Sequence, residues 1–437
     1  MGRISLALVL LALPLAATAE PEEKVTSERI EALETRIEEL EAGEAEPAGT
    51  LGNWTRRVKL GGSANTGYYW GQSNSVFRDD SFQIWDARIF IDAELGNAAR
   101  FGETTVLRNV GFSFEWNLVR LGHLENEVGE LVVDFQGIAD SSWFNLQVGR
   151  FQIPVGENYL RFSQGYSTNP FISNTVGGPW FWDEGVRFYG NDSESRFGYV
   201  ASLADAENAF NLDQKGDLQY TLKLFADPTS WLHLSVSALY TGEMGSSMTA
   251  AEGSLWLGEA WARAFGSGSI VPNYVDGVAV PDGPKEIRET YLVGADAIVT
   301  LSEIGRLWLA YGIYDIDQGT RLYNRRLHYW IAEILLYGSL VSPELADLYL
   351  GFRANGLGTY DSGEGYLLDF RFASTIGYNM ESLTAYSTVL GWRISEFVTL
   401  RAEYTHQDMD LVRGVSAAVR DAARELDSWA IEVGVHF

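Results

Sequence analysis

Hydrophobic positions at the end of the chain alternate strictly. Trp429, Ile431, Val433, Val435 and Phe437 fall between Ser428, Ala430, Glu432, Gly434 and His436. A period of two puts apolar side chains on one face and small or polar ones on the other, so the segment reads as a β-strand. The same pattern recurs upstream. Trp85, Ala87, Ile89, Ile91 and Ala93 alternate with Asp86, Arg88, Phe90 and Asp92, and Val398, Leu400, Ala402 and Tyr404 with Thr399, Arg401 and Glu403. Read throughout, the pattern predicts strands over 58–69, 82–95, 107–120, 128–138, 142–153, 184–190, 196–204, 217–227, 229–243, 286–300, 303–318, 345–356, 363–376, 383–395, 397–408 and 426–437. Segments 252–266 and 327–341 read as short helices inside long loops.

A soluble sandwich also alternates, so two further features decide. Apolar faces carry an aromatic near a strand end (Trp116, Tyr240, Trp392, Tyr404, Trp429), as a membrane-interface girdle requires. Connections also alternate between short turns and long loops, the latter at 154–183, 205–216, 244–285, 319–344 and 409–425. The fold class is therefore all-β: a transmembrane antiparallel β-barrel of about sixteen strands, wide enough for an aqueous lumen. Strand 345–356 is the weakest of the set, so fourteen or eighteen strands stay open. A terminal Phe437 after such alternation resembles the signal by which outer-membrane barrels are recognised for assembly.

The first residues have another purpose. Arg3, an apolar run from Ile4 to Leu15, and Ala17-Thr18-Ala19 form a secretory signal over 1–19, too short to span a bilayer. From Ser27 to Glu41, Ile30, Leu33, Ile37 and Leu40 take the a and d positions of two heptads, a short coiled-coil helix within a periplasmic segment 20–50. Arg29–Glu34 and Arg36–Glu41 resemble the pattern of short trimeric coiled coils. Two heptads barely hold alone, so the segment zips only if the barrel that follows from residue 51 already associates, or it tethers the barrel to the cell wall.

Composition then removes whole classes of function. The 437 residues hold 32 Lys+Arg against 59 Asp+Glu, a formal charge of −27, which leaves no basic footprint for nucleic acid. Zero cysteines exclude disulfides, thiolate nucleophiles and Cys-ligated metals. The five histidines are scattered without metal-ligand spacing, Gly266-Ser267-Gly268-Ser269 only approximates a nucleophile elbow, and Ser235 beside His233 is a same-strand neighbour. The sequence points to no catalytic residue, metal or cofactor.

Gly149-Arg150-Phe151-Gln152-Ile153-Pro154-Val155-Gly156 closes the fifth predicted strand. The octet resembles the Gly-x-Phe-Lys-x-Pro-Phe-Gly segment of the phosphate-selective porin family, with Gln152 and Val155 departing from it. That resemblance implies an exported sixteen-stranded outer-membrane porin, often with a short coiled coil, trimeric and anion-selecting through basic pore residues. As an inward charge Arg150 is out of phase with Leu146 and Val148, so either a bulge precedes it or the register of this strand differs.

Charge on a lipid face costs ~2–4 kcal/mol near the midplane, which turns the strand charges inward. The inward tally is mixed. Lys59, Arg88, Arg187, Lys223, Arg306, Arg371, Arg393 and Arg401 stand against Asp86, Asp92, Glu94, Glu115, Asp134, Asp296, Asp369, Glu403 and Glu432. Arg88, Arg187, Lys223, Arg371, Arg393, Arg401, Glu403 and Glu432 are the selectivity candidates, with Arg371, Arg393 and Arg401 grouped as a basic wall. Loop 154–183, rich in aromatics and bearing Glu157, Arg161, Asp183 and Glu184, is expected to fold into the lumen and constrict it. The expected function is passive diffusion of small hydrophilic solutes or ions across the outer membrane of a Gram-negative-type bacterium. The alternatives are an anion- or phosphate-selective channel, or a non-conducting barrel with an envelope-attachment or lipid-modifying role. Expected partners are outer-membrane lipid, two further copies of the chain, and the assembly machinery that reads Phe437.

Overall fold

A computed structural model describes residues 57–437, except 73–74, 78–79, 97–98, 102–103, 121, 158–168, 179–181, 193–195, 206–216, 243–273, 276–277, 280–288, 318–324, 361–365, 369–377 and 412–424. Sixteen antiparallel strands close into one barrel. They are β1 (Val58–Gly71), β2 (Ser81–Gly96), β3 (Asn109–Arg120), β4 (His123–Gln136), β5 (Asn145–Gln152), β6 (Trp182–Asp192), β7 (Phe197–Ala204), β8 (Gln219–Thr229), β9 (Leu232–Thr241), β10 (Glu289–Thr300), β11 (Gly305–Asp317), β12 (Arg325–Tyr337), β13 (Leu348–Thr359), β14 (Tyr378–Arg393), β15 (Val398–Leu411) and β16 (Glu425–His436). Each pairs with its sequence neighbour, and β1 closes on β16 from Ser63↔His436 to Gly71↔Ser428. Closure leaves no unpaired sheet edge, as a bilayer demands. The Phe437 amide and carbonyl complete the seam through two 3.0 Å bonds to Gly62.

The outside is apolar. Ile431, Val433, Val435, Leu390, Leu309, Val293, Val236 and Leu222 are all exposed large hydrophobics, while their neighbours Glu432, Ser235, Ser237 and Lys223 are buried in the interior. Aromatics gather at the end with the long loops: Tyr240 lies 4.9 Å from Tyr291, Tyr404 lies 4.4 Å from Trp429, and Trp429 stacks on Trp70 at 5.9 Å. Trp231, Phe397 and Phe437 are exposed at the other end. Two aromatic rings bounding an apolar band form the girdle of a membrane barrel.

Short connections (193–196, 230–231, 301–304, 394–397) fall at one end, and the longest (153–181, 242–288) at the other. Segment 97–108 is long for its end because it carries a small hairpin, Ala99–Phe101 with Thr104–Leu107. Connection 121–122 is correspondingly short at the long-loop end.

Three expectations are corrected. Segment 327–341 is mostly strand β12 rather than a helix, whereas the predicted strand 345–356, the weakest of the set, falls largely within the fully paired β13 and stands. Only Tyr366–Leu368 of the predicted strand 363–376 is described as strand, a three-residue partner of β14 outside the sixteen. The count is unchanged because one misread segment replaced another. The bulge before Arg150 is also absent, since pairing runs unbroken from Phe135↔Leu146 to Leu131↔Arg150. What accommodates this stretch is Gly149 at φ +135°, where a Cβ would lie 2.0 Å from the Leu131 carbonyl oxygen. Residues 1–56, including Ile30, Leu33, Ile37 and Leu40, and segment 252–266 lie outside the described residues.

Candidate functional site

The connection between β5 and β6 enters the barrel. Pro154 ends the β5 ladder, because it has no N–H to donate, and Ile153 and Val155 are fully buried. At Gly156 the backbone is tied to the wall of β8 and β9. Its N–H donates to Ser237 Oγ on β9 (3.0 Å), and its carbonyl accepts from Lys223 Nζ on β8 (2.7 Å). Glu157 follows with its N–H on Asp296 Oδ1 of β10 (3.3 Å). Its carboxylate meets Lys223 Nζ at 2.6 Å and His233 Nε2 at 2.9 Å, while His233 Nδ1 meets Asp227 at 2.8 Å. Burial alone would raise the Glu157 carboxyl, but hydrogen bonds and charge from His233 and Lys223 outweigh it and hold its pKa down at about 2.

The later part of the same loop is clamped to the wall of β13–β16. Glu403 of β15 accepts from the backbone N–H groups of Ile172 and Ser173 (3.1 Å for Ser173) and from the Ser173 hydroxyl. Arg401 Nη1 donates to the carbonyls of Asn169 (3.0 Å) and Phe171 (3.1 Å), and its other arm pairs with Glu432 of β16. Glu432 also accepts from Tyr69 Oη on β1 at 2.7 Å. Arg353 of β13 reaches the carbonyls of Ser173 (2.9 Å) and Asn174 (3.2 Å), with its guanidinium 4.3 Å from the centre of the Phe171 ring. Asn355 takes the Val176 N–H, and Tyr349 Oη donates to the Pro170 carbonyl at 2.9 Å.

Loop backbone polar groups buried inside a barrel need partners, and here charged wall residues supply them. Gly177 lets the loop approach closely, since a Cβ there would lie 2.5 Å from Tyr329 Cβ on β12. The loop's apolar side chains explain β12. Tyr329, Ile331 and Leu335 are buried on its inner face beside clusters that include Val176 and Phe171. Facing a loop rather than water, this strand is apolar on both faces apart from the buried Glu333, and the alternation is lost from Tyr329 to Ala332.

The predicted site residues divide accordingly. Lys223, Arg401, Glu403, Glu432 and Glu157 converge on the loop. Arg88 is buried between Asp86 (2.8 Å) and Glu115 (3.5 Å), on the opposite side of the β1–β16 seam. Arg187 bonds Gln147 Oε1 at 2.7 Å and lies 4.9 Å from the Phe151 ring. Asp183 and Glu184 belong to β6 rather than to the loop, and Glu184 pairs with Arg150 at 2.7 Å. The basic wall of three arginines does not form among the described residues. Arg393 is exposed at the short-turn end over Tyr337, and Arg401 faces Gly391 across the strands rather than Arg393. Arg371 and Arg161 lie outside the described residues. Sequence reasoning missed Arg353 and Asn355, although both alternate with outward Phe352 and Ala354 and so carried an inward signal. Both His233 ring nitrogens meet carboxylates, so Ser235 has no base there. Among the described residues no group of three His, Asp or Glu could hold a metal ion.

No family model matches the sequence, and no curated protein matches it. Solved structures match its shape. The trimer form of OmpT, an outer membrane protein of Vibrio cholerae, aligns with a TM-score of 0.55 at 9% identity, over 87% of this chain and 99% of its own. OprB of Pseudomonas putida gives 0.53 at 12% identity over 88% and 95%, and an anion-selective porin from Comamonas acidovorans gives 0.51 at 10% over 87% and 99%. The chain has the porin fold. At such identities the likeness extends to the barrel and not to the side chains, so function must be argued from the lumen itself.

Proposed function

We propose that the protein is an outer-membrane porin that passes small hydrophilic solutes and ions down their gradients through a constricted, water-filled lumen. The observation that carries this reading is the β5–β6 loop, held inside a sixteen-stranded barrel by wall charges on both sides rather than projecting beyond the rim. A barrel of this size leaves an aqueous channel, and an inward loop narrows it to a selective passage. The long loops are then external and the short turns periplasmic.

Export by a cleaved signal over 1–19, a coiled coil over 27–41 that joins or tethers protomers, and assembly read from Phe437 belong to the same proposal. So does a homotrimer, the form in which the Vibrio cholerae protein was described. The octet Gly149–Gly156 brings the phosphate-selective family's anion preference as a competing selectivity. The test is planar-bilayer conductance of the mature chain. Stepwise openings, grouped in threes, support a trimeric porin; silence from a folded, inserted barrel would turn the reading toward envelope attachment or lipid modification.

A further inference from the structure

We infer that the open part of the lumen prefers cations, and that carboxylates on β2–β4 set this preference. The inference rests on the porin reading. It follows from where each sign of charge is held.

The positive groups that face the loop are engaged. Lys223 lies against Glu157 and the Gly156 carbonyl, Arg401 against Glu432 and two loop carbonyls, and Arg353 against two more. Their charge stabilises the fold of the loop and is little available to a passing ion.

The wall of β2–β4 is different. It carries seven inward carboxylates, Asp86, Asp92, Glu94, Glu115, Glu127, Glu130 and Asp134. Against them it sets Arg88, already between Asp86 and Glu115, and Arg120, which pairs with Glu127 at 3.5 Å and whose guanidinium lies 4.8 Å from the Trp182 ring. Asp92 and Glu94 alternate with the outward Leu95 and are exposed, so inside a barrel they meet lumen water. Lys59 of β1 is opposite Asp92 in the register, Arg150 of β5 pairs with Glu127 at 3.2 Å, and Arg187 of β6 acts electrostatically on Glu130; even with all three counted, the carboxylates outnumber the cations.

A second observation points to the same wall. Asn117 is fully buried and neither of its amide atoms has a partner. Its Nδ2 and Glu115 Oε1 converge over Gly129, within 2.6 and 2.8 Å of where a Cβ would stand. The amide donates and the carboxylate accepts, so this stretch of the wall is polar where Gly129 leaves out a side chain.

A low-dielectric wall of one sign concentrates counter-ions in the passage. The experiment is the single-channel reversal potential of the full mature protein in a KCl gradient. The expected K⁺ to Cl⁻ permeability ratio is above about 3, and in the triple variant D92N/E94Q/D134N it should fall by at least about twofold with openings retained. Asp315→Asn, an exposed carboxylate paired with Arg326 on β12, should leave the ratio unchanged. A ratio at or below one in the parent, or an unmoved ratio in the triple variant, overturns the inference while leaving the porin standing. A folded, inserted barrel without openings overturns the porin reading and this inference with it.

Discussion

Two stretches of the same inner wall use charge in opposite ways. On β13–β16, Arg353, Arg401, Glu403 and Glu432 are buried and spent on loop backbone and on each other. On β2–β4, Asp92 and Glu94 stand exposed with Ser113 Oγ, 2.7 Å from Asp92, as a neutral neighbour. The first stretch is a clamp that fixes the shape of the passage; the second is a field that acts on what moves through it. An inward charge identified from alternation alone could be either, and what distinguishes them is whether a loop lies over it.

The clamp is the most sensitive place in the barrel. Arg401→Ala removes the partner of Glu432 and the donor to two loop carbonyls, leaving a buried carboxylate without its cation. A loss of about 3–5 kcal/mol is expected, read as earlier thermal unfolding of the detergent-solubilised barrel, together with raised conductance as the loop loosens. A charge on the other side of the same strand pair separates wall from lumen. Ile431→Arg, facing lipid next to Glu432, should cost about 2–4 kcal/mol in unfolding titrations from lipid vesicles with no change of conductance in molecules that insert. At Gly149, φ +135° with a carbonyl oxygen 2.0 Å from a would-be Cβ, Gly149→Val should cost about 1–3 kcal/mol by the same titration.

The loop's first anchor responds to acid. Glu157 has a carboxyl held at about 2, below its ordinary 4.5, because His233 and Lys223 favour the anion against the opposing effect of burial. A depressed folded-state value contributes stability that is present above pH about 4.5 and is lost as pH falls toward 2. Conductance should therefore change as pH falls from 4.5 toward 2. In Glu157→Gln the acid-dependent step should disappear, at a cost of about 1–3 kcal/mol near neutrality for the charged hydrogen bonds lost.

Most of the barrel was legible because lipid and water impose opposite demands on alternate residues. Strand β16 declares itself through Trp429, Ile431, Val433 and Val435. Strand β12 does not, and the reason is physical. Its inner residues Tyr329, Ile331 and Leu335 pack where the folded loop lies, so Tyr329-Trp330-Ile331-Ala332 lacks a polar phase and reads like a helix. The lapse in periodicity was itself a trace of the loop. The inward direction of Arg401 and Glu403 was also legible, but their partners were not. Asn169–Ser173 lies some 230 positions away in sequence, and it contributes backbone groups that every residue has. The three-arginine wall failed for a related reason: Arg393 shares the phase of Gly391 but sits beyond the covered depth, at the rim.

The loop lies against the inner wall, and the absence of cysteine makes its position directly testable. Ser173 Oγ on the loop lies 3.4 Å from Ser387 Oγ on β14. In the double variant Ser173→Cys/Ser387→Cys, the account predicts a disulfide in the folded barrel under mild oxidation, with single-channel conductance close to that of the parent. A verified barrel in which the two thiols stay reduced and separately alkylatable would contradict it, placing the loop away from the wall.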